Sequence, residues 1–303
     1  MPVTVLEIIK RSSEFLARKG VDSARLQVEL ILSHVLQMPR LKLYLNFERN
    51  LTDAEMDVIR KFVVRRGERE PLQQILGSTS FCGYEMAVTR DVLVPRPETE
   101  QLAEKAWEYL ATLQTCGETG TATGAKAASE AFRPVVLDFG TGSGCLAIVI
   151  ASKCPAAEVH ALDISPTALE VARQNAKKHQ TERIQFHLGD GFAALPADLQ
   201  FDLIVGNPPY ISTDEIATLQ PEVRDFDPRA ALDGGADGLH FYGRIAAAAP
   251  AFLKPGGRIM LEFGDGQADA VRQMFSSGVW TEREVAPDLS GRPRILIAQR
   301  GIS

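Results

Sequence analysis

Residues 135–151 constrain the fold of this chain more than any other stretch. Val135-Val136-Leu137-Asp138-Phe139 is a short, mostly apolar run that breaks into Gly140-Thr141-Gly142-Ser143-Gly144 before the small and aliphatic residues from Cys145 to Ala151. That order reads as strand, glycine loop and helix. Alternate glycines admit backbone angles closed to other residues and let a ligand approach the main chain, while a helix start turns free N–H groups toward a carboxylate. A dinucleotide-binding loop carries its third glycine one residue later, where Cys145 stands. The tighter spacing suits a nucleoside without a pyrophosphate, although a glycine loop by itself is also compatible with a plain turn.

Three further strand ends carry chemistry. Glu158 to Asp163 reads as a strand whose closing acid lies roughly 20 residues past the loop, where doubly wound folds hold ribose hydroxyls. Ser165-Pro166 supplies the cap and first turn of the next helix, so Asp163 is expected to be free for that role. Ile184 to Leu188 leads to Gly189-Asp190-Gly191-Phe192; Asp190 is placed to accept from an exocyclic amine, and Phe192 either stacks on a ring or joins the core. Phe201-Asp202-Leu203-Ile204-Val205-Gly206 is a buried strand ending in Asn207-Pro208-Pro209-Tyr210. The Asn207 carbonyl and the backbone carbonyl of Pro208 can accept the two hydrogens of a planar NH2 group, and the prolines stiffen both acceptors while removing competing donors. A Pro-Pro pair also simply ends strands, so the tetrad gains its meaning from its neighbours.

The rest of the chain fits around these elements. Residues 4 to about 66 carry apolar side chains at helical spacing, with starts at Asp22-Ser23 and Thr52-Asp53 and stops at Gly20 and Gly67. Residues 1–70 are read as a helical bundle whose charged clusters suit solvated faces, though it could equally dock a protein partner such as a substrate protein. Residues 71–100 are a linker in which Phe81, Tyr84, Met86 and Val88, then Val92-Leu93-Val94, suggest a hairpin. Residues 101–303 form the main domain, entered by a helix from Pro95-Arg96-Pro97-Glu98-Thr99-Glu100 to about Leu113 and interrupted at 114–132 by a Gly-, Ala- and Thr-rich stretch read as a mobile insertion. Seven strands alternate with helices along it, which predicts a mostly parallel, doubly wound α/β sheet with the last two strands as an antiparallel edge. The turn-rich 226–235 stretch is expected near the site. With 303 residues, a net charge of −6 and interspersed signs, the chain is long enough for two domains and advertises no strong field for nucleic acid. No apolar run approaches the roughly 18 residues of a membrane helix, and no signal or transit pattern opens the chain, so a cytoplasmic protein is expected. Cys82, Cys116, Cys145 and Cys154 lack metal-ligand spacing, and the five histidines are scattered. Structural thiols and no metal are the expectation.

Glycine loop, strand-end acids and Asn-Pro-Pro-Tyr together resemble the S-adenosylmethionine-dependent methyltransferases that modify planar amino groups. Adding Pro95 to Glu100, Asp227-Pro228-Arg229-Ala230-Ala231-Leu232 and Asp288-Leu289-Ser290-Gly291-Arg292-Pro293-Arg294, the chain resembles the HemK-like peptide-chain-release-factor glutamine N5-methyltransferases over nearly its whole length. The resemblance implies a class I, Rossmann-like methyltransferase fold. It implies transfer of a methyl group from S-adenosylmethionine to the glutamine amide of a Gly-Gly-Gln loop in release factors. Gly140, Thr141, Gly142, Ser143, Gly144, Asp163, Asp190, Gly191, Phe192 and Asn207 would hold the cofactor. Asn207, Pro208, Pro209 and Tyr210 would hold the substrate, with Asn207, Pro208 and Tyr210 catalytic. A ribosomal-protein glutamine is a chemically equal substrate. DNA adenine N6 is a second, disfavoured by the acidic charge, and a non-catalytic binding scaffold is a third reading.

Overall fold

The computed structural model describes residues 3–119, 132–276 and 278–302. The chain divides into two units, residues 1–78 with 219–226, and residues 79–218 with 227–303.

The first unit is helical: α1 Val5–Arg18, α2 Ala24–Val35, α3 Arg40–Tyr44, α4 Asp53–Gly67 and α5 Leu72–Leu76. Thr4 and Thr52 open α1 and α4 with capping boxes, each hydroxyl accepting from the backbone N–H of a glutamate three residues on, whose carboxylate accepts in return. Ser23 occupies the start of α2 in a left-handed conformation and makes no side-chain cap, so the expected start is there without its capping bond. Val5, Ile9, Leu16, Val28, Ile31 and Ile59 form its core. Residues 219–226 belong to this unit, and sequence patterning gave no sign of it. Glu222 accepts from buried Arg66 at 2.6 Å and from Arg69 at 2.7 Å.

The second unit opens with a tight hairpin, β1 Ser78–Phe81 and β2 Tyr84–Ala87. Cys82 and Gly83 both have positive φ, the type I′ geometry that matches strand twist. The hairpin ends sooner than the alternation suggested. Val88 and Val92 do not pair as strand but pack on Ala168 and Val171. Helix α6, Pro97–Thr119, outruns its expected end near Leu113; most of the 114–132 stretch read as an insertion lies outside the described residues. Then follow β3 Val135–Phe139, α7 Cys145–Lys153, β4 Glu158–Asp163, α8 Pro166–Lys178, β5 Gln185–Leu188, β6 Phe201–Gly206, the short α9 Pro221–Arg224 of the first unit, α10 His240–Ala248, β7 Leu253–Glu262, α11 Ala268–Met274, β8 Trp280–Pro287 and β9 Pro293–Arg300. The seven-stranded sheet has the order β5-β4-β3-β6-β7-β9-β8, parallel through β7 and antiparallel at β9 and β8. One apolar layer, including Leu146, Ile148, Val149 and Leu203, lies on one face and another, including Tyr242, Ile245 and Phe275, on the other, as a parallel sheet requires. Among the described residues no helix is long and apolar enough to cross a membrane.

Candidate active site

Parallel register brings the strand ends together. Phe139 pairs with Leu162 on one side and Gly206 on the other, and Gly206 pairs with Leu261. Gly140, Asp163, Asn207 and Glu262 each follow one of those residues, so they emerge side by side at the carboxyl ends of four adjacent strands, about 5 Å apart from strand to strand. The order reverses between β3 and β6, the topological switch point where such sheets bind ligands. Gly206 is required for the approach: a Cβ there would lie 2.6 Å from the Phe139 carbonyl oxygen.

The loop after β3 is built to expose main chain. Gly140 and Gly142 have φ of +73° and +54°, and a Cβ on either would meet nothing within 4 Å, leaving open space beside the backbone. Thr141 and Ser143 are buried, so their side chains face the protein. The Thr141 hydroxyl donates to Asp138 Oδ2 at 2.6 Å, and the same oxygen accepts from the Ala147 N–H at 3.1 Å. Asn175 of α8, fully buried, donates to the Ser143 carbonyl at 2.9 Å and exchanges hydrogen bonds with the Ala87 backbone. Asp138 and Asn175 hold the loop, and sequence reasoning missed both. Both sit in apolar-patterned segments, and their partners are visible only in three dimensions.

Asp163 is not left free, as the capping argument had it. Oδ2 accepts from the Gly142 N–H at 2.8 Å and Oδ1 from the Ser165 N–H at 2.9 Å, so the carboxylate pins the loop and caps the next turn together. Burial raises its pKa against hydrogen bonds from the Ser165, Gly142 and Ile164 N–H groups. The Ile164 N–H also bonds the carboxylate, and of its roughly four lone-pair sites one remains open. Asp190 is exposed and lies 2.9 Å from the Arg244 guanidinium. Gly191 has φ of +69° beside it. Phe192 corrects the stacking expectation: it is 7 % exposed, with Phe139 and Phe252 at centroid distances of 5.1 and 5.2 Å, and belongs to the core. Open space over two glycines, a loop-pinning carboxylate and a second strand-end acid fit an adenosyl ligand without a pyrophosphate.

The tetrad follows directly. Asn207 is half-buried and donates from Nδ2 to Thr99 Oγ1 at 3.1 Å. Pro208 is buried; Pro209 and Tyr210 are half-buried. Residues 227–235 of the turn-rich stretch pack here, Ile211 exchanging backbone hydrogen bonds with Leu232 and Gly234, and the Asp227 carboxylate meeting Arg96 at 2.6 Å. Gln267 donates to the Tyr210 carbonyl at 2.8 Å. Burial, reinforced by Glu262, pushes the Tyr210 phenol up to about 12, so it keeps its proton and is no base. Burial likewise pushes the Cys82 and Cys145 thiols up to about 12, which leaves both protonated. Among the described residues no group of His, Cys, Asp or Glu is arranged to hold a metal.

Residues 7–77 match the PrmC N-terminal domain family and residues 118–221 the methyltransferase small domain family. The chain is 42 % identical to a release factor glutamine methyltransferase of Geobacter sulfurreducens over 97 % of this chain and 95 % of that one. It is 44 % identical to a protein of the same description from Chlorobaculum tepidum, over 90 % of each. Among solved structures, a Thermus thermophilus 16S rRNA N2 G1207 methyltransferase in complex with AdoMet and guanosine superposes with a TM-score of 0.47 at 20 % identity, covering 74 % of this chain and 49 % of that one.

Proposed function

This chain belongs to the release factor glutamine methyltransferases, and from that premise we propose how its own residues carry the reaction. It is an S-adenosylmethionine-dependent enzyme that methylates a glutamine of release factors. The atom methylated is the side-chain amide nitrogen, N5, of the glutamine in the Gly-Gly-Gln loop. The helical first unit docks the substrate protein, and the reaction takes place in the cytoplasm, where translation terminates.

Bound S-adenosylmethionine supplies a methyl carbon made electron-poor by the adjoining sulfonium. Gly140 and Gly142 give it a backbone to lie against, Gly144 lets the loop close on Ala172 of α8, Asp163 offers its remaining acceptor site to the ribose, and Asp190 accepts from the adenine amine. An amide nitrogen is a weak nucleophile because its lone pair is delocalised. Asn207 Oδ1 and the Pro208 carbonyl each accept one N–H of the glutamine amide, which raises electron density on nitrogen and fixes the direction from which it attacks. Orientation of this kind contributes about 7–11 kcal/mol to lowering a barrier. Pro209 stiffens the turn, and Tyr210, protonated throughout, covers one face of the amide. The carbon–sulfur electron pair would stay with the departing sulfur as a neutral thioether, and the alkylated nitrogen, far more acidic, gives its surplus proton to water without a prior base.

The observation that carries this reading is the placement of Asn207 one residue past the row Leu162–Phe139–Gly206, level with the glycine loop. Mass spectrometry of a release factor after incubation with labelled cofactor tests it. One methyl on the loop glutamine is expected from the parent and almost none from Asn207→Ala, which should still bind cofactor. Equal loss of turnover and of cofactor affinity in that variant would refute the role given to Asn207.

A further inference from the structure

An asparagine amide presents its carbonyl to a substrate in only one of its two orientations, so something must choose. Thr99, at the third position of α6 and 4 % exposed, donates from Oγ1 to Glu262 Oε2 at 2.7 Å and accepts from Asn207 Nδ2 at 3.1 Å. A hydroxyl owns one hydrogen. With that hydrogen committed to a carboxylate, which only accepts, Oγ1 meets Asn207 as an acceptor, and Glu262 itself draws a hydrogen bond from the Asn207 amide, so the amide turns its NH2 inward toward both. Oδ1 then faces away from Thr99. Glu262 is 1 % exposed and stands beside Asn207 because Leu261 pairs with Gly206.

We propose that Glu262 and Thr99 set the orientation of the Asn207 amide, making them positioning residues for methyl transfer. The inference rests on the reading that Asn207 Oδ1 receives a substrate N–H. It goes further by making that acceptor conditional on an ionised Glu262. A protonated Glu262 can itself donate to Thr99, whose hydrogen is then released to Asn207 Oδ1, and the flipped amide gains a partner that the ionised carboxylate denies it.

The charged and titratable groups around Glu262 are Arg294 from β9, Glu98 from α6 and Tyr210 of the tetrad, while the Tyr242 hydroxyl of α10 donates to its backbone carbonyl at 2.8 Å. Burial, aided by Glu98, pushes the Glu262 carboxyl up to about 7 against hydrogen bonds from Thr99 and Asn207 and the charge of Arg294. The ionised form therefore gives way within a range that kinetics can reach.

Single-turnover rates with a release factor, cofactor titrations and thermal midpoints on Thr99→Val, Thr99→Ser, Glu262→Gln and Asn207→Ala test the proposal. Thr99→Val keeps the shape of the side chain and removes the hydroxyl; its rate should fall about 10- to 100-fold, the usual cost of a misplaced reacting group. Cofactor affinity should be unchanged, and Thr99→Ser should restore the rate. The parent's rate should decline as pH is lowered through about 7, and that limb should vanish in Glu262→Gln. A Thr99→Val rate equal to the parent's, beside an inactive Asn207→Ala, overturns the inference and spares the role of Asn207. So does a Thr99→Ser loss as large as that of valine at parental thermal stability, or an acid limb that survives in Glu262→Gln. An active Asn207→Ala fails the underlying reading and takes this inference with it.

Discussion

Asp138 offers a test of how the glycine loop is held. The residue lies in β3 and is 0 % exposed, and both its hydrogen bonds use one oxygen. Oδ2 accepts from Thr141 and Ala147, while Oδ1 has no partner among the described residues. Burial pushes the carboxyl from 3.8 up to about 7, ahead of the opposing pull of those two donors. Because the folded value lies above the unfolded one, the native state binds the proton more tightly. That contribution to stability is fully present below about 3.8 and is lost as pH rises through about 7. At about 1.4 kcal/mol per pH unit, the loss comes to about 4 kcal/mol. Asp138→Asn keeps an oxygen for both donors and sets its NH2 where Oδ1 has no partner, at a cost that does not change with pH. The stability of the Asn variant relative to the parent should therefore improve by about 4 kcal/mol between about pH 4 and about pH 8. Urea unfolding of the two ligand-free proteins across that range measures it. Parallel curves would show that the buried carboxyl does not carry the strained charge described here.

The remaining predictions concern binding and stability. Asp163→Ala frees the Gly142 and Ser165 N–H groups. Lost pairing of about 1–3 kcal/mol should raise the cofactor dissociation constant about tenfold or more in calorimetric titration, and unchanged affinity would remove Asp163 from the binding site. Glu222→Ala leaves the buried Arg66 guanidinium without its carboxylate. The first unit should lose about 3–5 kcal/mol, visible as faster amide exchange along α4; parental exchange would show the pair to be dispensable.

The sheet, the glycine loop and the tetrad were legible in the sequence because each is local. Apolar runs of strand length, glycines at alternate positions and prolines after a strand announce themselves within a few residues. What escaped notice was paired across long separations. Thr99 and Glu262 meet 163 positions apart, and Asp138 hides in a run whose apolar character conceals one buried acid. Phe192 looked equally suited to a ligand or to the core, since an aromatic after a strand-end acid serves either, and only the rings of Phe139 and Phe252 decide it. The hairpin was drawn too long because Val88 and Val92 alternate as a strand would, although they are buried against α8 and not across a ladder. Asp163 was read as free because Ser165 makes a sufficient cap, which it does, donating nothing to the loop; the Gly142 N–H needed a partner that no cap rule supplies.

The most direct test is a crystal structure of the enzyme with S-adenosylhomocysteine and a peptide carrying the methylated glutamine. The substrate nitrogen should lie about 2.9–3.0 Å from the Pro208 carbonyl oxygen or from Asn207 Oδ1, with the Asn207 NH2 still turned to Thr99. A methylated nitrogen bonded to other groups, with both of those oxygens pointing elsewhere, would contradict the account.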